Sequence, residues 1–182
     1  MDALERMRSG EMTDVTDAGI QKALRKAKEA MTRFNALNLY SPDYGETLKE
    51  FLPNVADDAK VNPPLYCDYG TNITIGSGSF VNFNCVFLDG APITIGKNVL
   101  IGPAVQIYTP IHPLDYKERR KPIERAEPVT IGDDCWICGG AVILPGVKIG
   151  NRCIIAAGSV VTQDVPDDCM AAGNPATVKK RL

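Results

Sequence analysis

The only histidine of the 182-residue chain, His112, opens a charged and proline-rich stretch that covers residues 110–128. Histidine is the most frequent general base at neutral pH, because its free side chain has a pKa of about 6.5 and can accept a proton and return it. Long ordered loops on rigid scaffolds also tend to carry function. His112 is therefore a candidate base, and the alternative at this point is a histidine that only decorates a loop.

The other reactive side chains give weaker evidence for a catalytic role. No cluster of cysteine and histidine suggests a metal site, so we expect no metal requirement. None of the serines or cysteines has independent support as a nucleophile, which disfavours a covalent intermediate. The sequence thus favours proton transfer by His112 over metal or covalent catalysis.

The elements that would have to position His112 are dominated by a six-residue repeat between residues 131 and 166. A branched apolar residue returns at every sixth position: Ile131, Ile137, Ile143, Ile149, Ile155 and Val161. Four residues after each stands a smaller one: Cys135, Ala141, Val147, Cys153, Ser159 and Val165. A period of six fits neither an α-helix nor one long strand, and it predicts a solenoid of triangular coils, three hexads to a coil. The apolar residue points inward, the small one sits where the wall turns, and coils stack at about 4.8 Å.

The repeat extends over most of the chain. It begins loosely near Val55, and it slips by two residues across residues 90–92. Its regular positions before the insertion are Ile75, Val81, Phe87, Ile95, Ile101 and Ile107. Residues 110–128 cannot supply inward apolar positions, yet the hexads return in step at Ile131. We therefore predict a β-solenoid domain over residues 55–182, with residues 110–128 as an inserted loop and a basic C-terminal tail.

Residues 1–54 are predicted to be helical. Apolar residues recur at steps of three and four between residues 18 and 39, and Asp17 can cap that helix. Shorter helices are expected over residues 6–12 and 44–51. We expect this segment to close the end or side of the solenoid, which otherwise leaves a sheet edge open.

Composition excludes several classes of protein. The net charge is −2, and no basic stripe alternates with aromatic residues, so neither nucleic acid nor an anionic membrane is an expected partner. No apolar run approaches the length of a membrane span, and the N-terminus has no hydrophobic signal segment. We therefore expect a cytoplasmic protein whose six cysteines are reduced and mainly structural.

Several motifs within and beside the repeat resemble those of the maltose and galactoside O-acetyltransferases, a family of hexapeptide-repeat proteins. They are VNFNC from Val81, IYTPIHPLD from Ile107, PVTIG from Pro128, GSVVT from Gly158 and AGNPA from Ala172. Motifs and spacing match over nearly the whole chain. The resemblance implies a mainly β fold, a left-handed parallel β-helix, with residues 1–54 as a helical cap that covers the acceptor.

The resemblance also implies a reaction, the transfer of an acetyl group from acetyl-CoA to a sugar hydroxyl in a ternary complex. His112 would take the proton of the acceptor hydroxyl as its oxygen attacks the thioester, and such a base is worth about 10²–10⁴ in rate. The tetrahedral oxyanion needs hydrogen-bond donors already in place, and the family uses a backbone N–H at the position of Gly139 for the cofactor end.

Four residues match acceptor-contacting positions of the family: Asn82, Asp89, Asp68 and Glu124. Glu124 could instead orient His112 or be an ordinary solvated charge. Asn82 could also be explained by a tight corner, because asparagine tolerates positive φ. Thr13 and Leu24 stand where the family has a tyrosine and an arginine, so the identity of the sugar stays open.

Five residues match positions that line the pantetheine groove: Trp136, Gly139, Ala157, Thr162 and Gln163. Glycine and alanine let the extended arm approach the backbone closely, whereas Trp136 could equally pack on the wall. Gln163 and Thr177 stand where relatives often have lysine and arginine. Contacts with the CoA phosphates are therefore expected from Lys179, Lys180 or Arg181 of the basic tail, with Lys180 as the first candidate.

Two other functions stay open. The first is an acetyltransferase with a hydroxyl acceptor that is not a sugar, favoured by the missing tyrosine and arginine. The second is a noncatalytic scaffold, disfavoured because His112 lies in a matching motif.

A triangular prism has flat faces, which closed cyclic assembly usually buries. We predict a homotrimer, as the resemblance also implies, in which the insertion is too long and charged to lie back on its own coil and helps to form sites shared by two chains.

Overall fold

A computed structural model describes residues 1–182, in which three parallel sheets form the walls of a solenoid. The first wall contains Asn54–Val55, Ile73–Ile75, Ile93–Ile95, Val129–Ile131 and Lys148–Ile149. The second contains Lys60–Val61, Phe80–Val81, Leu100–Ile101, Trp136–Ile137, Ile154–Ile155, Cys169–Gly173 and the antiparallel Ala176–Arg181. The third contains Leu65–Cys67, Cys85–Leu88, Gln106–Tyr108, Val142–Ile143 and Val160–Val161. The chain visits the walls in turn, which confirms the predicted mainly β solenoid.

The inward positions of the repeat form one continuous core. Every apolar residue that the six-residue period assigns to the interior is buried. Val55 pairs with Ile75, 20 residues later, whereas Ile131 pairs with Ile149, 18 residues later. The coils before the insertion are longer because two additional residues lie at the corner between the third and first walls. The register near Val55 is therefore regular, whereas the sequence had suggested a loose beginning of the repeat.

Most corners place one residue in the left-handed region of φ. The residue before the small position has φ between 54° and 61° at Asn84, Asn98, Ala104, Asp134 and Arg152. Glycine takes the same position at Gly140 and Gly158. Only residues that tolerate positive φ fit there without strain, and the wall then turns tightly over the small buried side chain.

Three helices precede the solenoid: Ala3–Arg8 (α1), Ala18–Asn35 (α2) and Tyr44–Phe51 (α3). As predicted, α2 begins after Asp17, whose carboxylate accepts a hydrogen bond of 2.8 Å from the Gly19 N–H, but α2 ends four residues before position 39. The first helix begins before residue 6, because Asp2 and Glu5 form a capping box at its N-terminus.

Helices α2 and α3 share an apolar core with the first coil. The rings of Phe34 on α2 and Phe51 on α3 lie with their centroids 5.4 Å apart. Both belong to the same buried cluster as Val55 and Leu65 of the first coil. Helices α2 and α3 therefore cover the N-terminal end of the solenoid, whereas α1 packs against Ala126 of the insertion. No helix has the length and the apolar character needed to cross a lipid bilayer.

The insertion between the third and first walls is a folded hairpin. Pro110–Ile111 and Ile123–Ala126 pair antiparallel, with the short helix Tyr116–Arg119 (α4) between them. Thr13–Asp14 adds a third strand to Ile123–Ala126. The premise that this segment cannot lie back on its own coil is therefore corrected, because Ala126 of its second strand packs against Tyr69 and Ala91 of the coil. The N-terminal segment also supplies backbone partners for that strand.

Candidate active site

A pocket of about 330 Å³ brings together three of the predicted site residues, Asp68, His112 and Glu124. It lies where the inserted hairpin, α2 and the end of the third wall meet. The other residues that line it are Val15, Gln21, Leu24, Tyr69, Leu88 and Pro110. The lining is thus divided between an acidic edge next to the histidine and an apolar edge.

The hairpin register sets His112 beside Glu124. Ile111 lies opposite Arg125. His112 follows Ile111 on one strand, and it therefore faces Glu124, which precedes Arg125 on the other strand. Nε2 of His112 lies 3.8 Å from Oε2 of Glu124, and the side chains are 61% and 17% exposed, respectively. Burial raises the pKa of Glu124, and the positive charge of a protonated His112 opposes that shift. The carboxylate can therefore orient the imidazole and stabilise the charge that it acquires on accepting a proton.

Asp68 supplies a second carboxylate to the pocket. Burial raises the pKa of Asp68, while Lys28, whose Nζ lies 3.8 Å from Oδ1, opposes the shift. The negative charge of Asp68 contributes in turn to the raised pKa of Glu124. Ionised carboxylates are hydrogen-bond acceptors only, so this edge of the pocket suits a ligand that presents hydroxyl donors.

Asp89, which is predicted to contact the acceptor, also makes hydrogen bonds within the protein. Its side chain is fully buried, and Oδ1 accepts hydrogen bonds from the N–H groups of Asp68 at 3.0 Å and Tyr69 at 2.8 Å. Oδ2 accepts a longer one from the Asn72 N–H at 3.3 Å. Burial raises the pKa of Asp89 to about 6, and these donors oppose the shift. Because both oxygens accept backbone N–H groups of the preceding coil, Asp89 holds the segment that carries Asp68.

The apolar edge consists of Val15, Leu24 and Leu88. Leu88 follows the inward-facing Phe87 and therefore faces outward, a position that the alternation along the third wall could have indicated. Val15 carried no such signal in the sequence. Thr13 is buried, and its hydroxyl donates to the Glu11 carbonyl at 2.9 Å. Thr13 and Leu24, which stand where the family has a tyrosine and an arginine, therefore supply no polar group to the pocket.

Asn82 lies apart from this pocket, at the corner between the second and third walls. Its side-chain Oδ1 accepts a hydrogen bond of 2.9 Å from the Phe83 N–H. The positive φ of this corner, 61°, belongs to Asn84. The need for a left-handed residue therefore explains Asn84 and does not explain Asn82.

The same corner carries Gly139 and Ala157 on successive coils. The Gly158 N–H donates to the Gly139 carbonyl at 3.1 Å, and the N–H of Gly139 donates to no acceptor within the chain. A Cβ atom at Gly102 would lie only 2.5 Å from the Gly139 nitrogen, so the backbones pack closely here. Trp136 is 51% exposed on the outer face of the second wall. A free N–H beside small residues and an exposed ring suits an extended ligand that carries amide groups.

One chain does not gather all of the predicted cofactor residues. Thr162 and Gln163 follow the third-wall strand that Ala157 precedes, so about 16 Å of extended chain separates Ala157 from Thr162. Lys180 is exposed on the last strand of the second wall. His112 lies at the same end of the third wall as Thr162, two coils earlier.

The cysteines provide no metal centre. Cys135 and Cys138 have CxxC spacing, but no group of three or more His, Cys, Asp or Glu side chains is arranged to hold a metal ion. All six cysteines are free. Burial raises the pKa of Cys135 to about 11 and also raises that of Cys138, so both thiols stay protonated and act as packing groups.

Comparisons with known proteins agree with this geometry. The family described as "Bacterial transferase hexapeptide (six repeats)" matches residues 128–163. The galactoside O-acetyltransferase of Escherichia coli K12 is 39% identical over 100% of this chain and 90% of its own length. A crystal structure of a maltose O-acetyltransferase from Clostridium difficile 630 is 39% identical, with a TM-score of 0.96 over 100% of this chain and 98% of that chain. A crystal structure of a hexapeptide-repeat acetyltransferase from Vibrio cholerae O1 biovar eltor, solved with acetyl-CoA, is 40% identical in sequence. Its TM-score is 0.90 over 100% of this chain and 99% of that chain.

Proposed function

Because the chain belongs to the maltose and galactoside O-acetyltransferase family of hexapeptide-repeat acetyltransferases, which use acetyl-CoA, we propose that it acetylates a sugar hydroxyl with His112 as the general base. The pocket in which His112 meets the carboxylates of Glu124 and Asp68 carries this proposal. A hydroxyl is a weak nucleophile until its proton can be accepted, and His112 is the one histidine of the chain.

In the proposed reaction the acceptor oxygen attacks the thioester carbonyl carbon while the imidazole of His112 takes the hydroxyl proton. Glu124, whose Oε2 lies 3.8 Å from Nε2 of His112, stabilises the imidazolium. The tetrahedral intermediate carries its negative charge on the former carbonyl oxygen, and the free N–H of Gly139 is the candidate donor to it. Collapse breaks the C–S bond, and the imidazolium returns the proton to the departing thiolate.

Kinetics of acetyl transfer to a panel of sugars test the proposal, with release of the CoA thiol as the readout. We expect His112→Ala to lower kcat by at least about 10²-fold, because the proton then has no placed acceptor. The variant should fold normally, since His112 lies outside the core. Lys117→Ala, an exposed change within the same insertion, serves as the matched control. If His112→Ala retained most of its kcat, the assigned base would be rejected.

Acetyl-CoA is assigned to the corner formed by Gly139 and Ala157, with Trp136 beside it. The free N–H of Gly139 and the narrow backbone there support this assignment. Lys180 is assigned to the phosphates, because its exposed ammonium lies on the same wall as Trp136. Residues 1–54 are assigned as the acceptor cover, since Leu24 and Gln21 of α2 form one side of the reaction pocket.

A homotrimer is supported by the outer faces of the three walls. The first wall is polar, with outward residues Asn54, Thr74, Thr94, Thr130 and Lys148. The second is largely apolar, with outward residues Lys60, Phe80, Leu100, Trp136, Ile154 and Met170. The third is largely apolar, with Tyr66, Val86, Gln106, Val142 and Val160. Two adjacent apolar faces can both be covered in a closed ring when the second wall of one chain packs on the third wall of the next.

Shared active sites are supported by the separation of base and groove. His112 and the pair Gly139–Ala157 lie at opposite ends of the third wall of one chain, farther apart than the reacting atoms of a thioester and a hydroxyl can be. A ring of chains places the corner of one chain against the wall of another. We therefore assign the base and the acetyl-CoA groove of each site to different chains. Asn82, at the groove corner, would then face the acceptor of the neighbouring His112.

A further inference from the structure

Gln21 brings the only amide side chain into the reaction pocket. It lies in the first turn of α2, and it lines the pocket together with Asp68, His112 and Glu124. The two carboxylates only accept hydrogen bonds when they are ionised, whereas a primary amide offers an acceptor oxygen and two N–H donors. Gln21 can therefore contact a ligand in ways that Asp68 and Glu124 cannot.

The amide of Gln21 is held in one orientation. Its Nε2 donates a hydrogen bond of 2.9 Å to the Val15 carbonyl. This partner fixes which end of the amide is the nitrogen, because one carbonyl oxygen cannot donate to another. The Val15 N–H in turn donates to the Pro122 carbonyl at 2.8 Å. The amide is therefore tied through Val15 to the insertion that carries His112.

The oxygen end of the same amide has no partner within the chain. The bond from Nε2 to Val15 is the one hydrogen bond that the Gln21 side chain makes. Every side-chain nitrogen or oxygen that is shut off from solvent in this protein has a partner, so Oε1 of Gln21 reaches open space. The space that Gln21 lines is the reaction pocket. Its Oε1 and its second N–H are therefore available to a ligand there.

The other polar side chains of the pocket leave a place for this contact. The Tyr69 hydroxyl lies 3.7 Å from a buried methionine sulfur, and Glu124 lies beside the imidazole of His112. The hydroxyl that reacts is assigned to His112. Asp68 and Gln21 then remain to hold hydroxyls of the acceptor that do not react.

We propose that Gln21 is an acceptor-binding residue, whose Oε1 accepts a hydrogen bond from a sugar hydroxyl that does not react. This inference rests on the proposed function and adds a specificity-determining residue to it. Thr13 and Leu24 bring no polar group to the pocket, so Gln21 is the polar contact that the N-terminal segment supplies. A bound acceptor without this hydroxyl would cover the amide oxygen and leave it unpaired, which costs binding energy in the transition state.

The test combines the variant Gln21→Met with acceptors that lack one hydroxyl. The acceptors are the sugar that the wild-type protein acetylates fastest and its monodeoxy derivatives. For the wild type, we expect one derivative that still reacts to have a kcat/KM about tenfold below that of the parent sugar. Methionine has nearly the length of glutamine but lacks the amide. Gln21→Met should therefore lower kcat/KM about tenfold for the parent sugar and less than about twofold for that derivative.

Lys22→Met is the matched control, because Lys22 is the next residue of α2, is exposed and lies outside the reaction pocket. It should leave kcat/KM within about twofold of wild type for every sugar. If Gln21→Met lowered kcat/KM by one common factor for the parent sugar and all derivatives, the amide would only hold Val15 in place, and the inference would be wrong. Unchanged kinetics in Gln21→Met would likewise remove Gln21 from the site. Acetylation of no sugar by the wild-type protein would instead reject the proposed function, and this inference with it.

Discussion

We expect the variant Asp89→Asn to be less stable than the wild-type protein at low pH, and as stable as the wild type or more stable at neutral pH. Burial sets the pKa of Asp89 at about 6, against an ordinary value of 3.8. The folded protein thus holds this proton more tightly than the unfolded chain does. The stability that the proton contributes is fully present below about pH 4 and is lost as the pH rises through about 6. The two pKa values differ by about two, which corresponds to about 3 kcal/mol.

The asparagine variant lacks this titration but loses one acceptor. Its amide oxygen can still accept from the Asp68 and Tyr69 N–H groups, whereas its NH₂ group cannot accept from the Asn72 N–H. An unsatisfied buried donor costs about 1–3 kcal/mol. We therefore expect Asp89→Asn to be less stable than wild type by about 1–3 kcal/mol near pH 4 and equal to it, or up to about 2 kcal/mol more stable, at pH 7.5.

Urea denaturation at pH 4.5, 6 and 7.5, at one fixed protein concentration, measures this difference. Asp43→Asn is the matched control, because Asp43 is exposed and its side chain makes no capping hydrogen bond. The control should differ from wild type by the same small amount at all three pH values. A stability difference for Asp89→Asn that did not change with pH would refute the assignment of Asp89 as the buried, titrating anchor of the pocket.

Three further predictions concern the core, the base and the groove. Ile143→Asp should abolish folding, because the fully buried side chain would place a charge in the dry interior; a soluble variant with an unchanged melting temperature would show that the hexad register is wrong. Glu124→Gln should lower kcat by about tenfold or more with little change in KM for acetyl-CoA, since only the orientation and charge of His112 are affected; unchanged kcat would leave Glu124 without a role. Gly102→Ala should lower the melting temperature, because its Cβ would lie 2.5 Å from a backbone nitrogen of the next coil, whereas Gly45→Ala, with nothing within 4 Å, should raise or preserve it.

The solenoid could be predicted from the sequence because its determinants are local. Each coil repeats the same requirement for an inward apolar residue and a small corner residue, so that Ile131, Ile137 and Ile143 carry the same information several times over. The helix cap at Asp17 is likewise set by residues within one turn of it. The position of His112 at the start of an insertion followed directly from the interruption of the repeat.

The composition of the pocket depended on contacts between distant segments, which the sequence does not reveal. The strand that contains Glu124 pairs with Thr13–Asp14, more than a hundred residues away, and this pairing brings Val15 and Leu24 next to His112. The burial of Asp89 depends on the long corner of the preceding coil, where the N–H groups of Asp68, Tyr69 and Asn72 donate to its carboxylate. Spacing along the chain could identify Asp89 as a residue of interest but could not distinguish ligand contact from support of the loop.

The central claim is that His112 of one chain acts on acetyl-CoA bound at the Gly139–Ala157 corner of another. Co-expression of His112→Ala with Ala157→Trp, each carrying a different affinity tag, provides the test. Ala157 is exposed, so the tryptophan blocks the groove without entering the core. Each variant alone should be inactive, and doubly tagged oligomers isolated by both tags should be assayed for acetyl transfer.

Shared sites predict recovered activity in the mixed oligomers, because some sites then combine an intact base with an intact groove. With random assembly of equal amounts, about one quarter of all sites in the unfractionated mixture should be active. Sites contained within one chain predict no recovery, since every chain carries one of the two defects. Mixed oligomers that stayed as inactive as the single variants would contradict the account, as would a monomer in light scattering that still transferred acetyl groups.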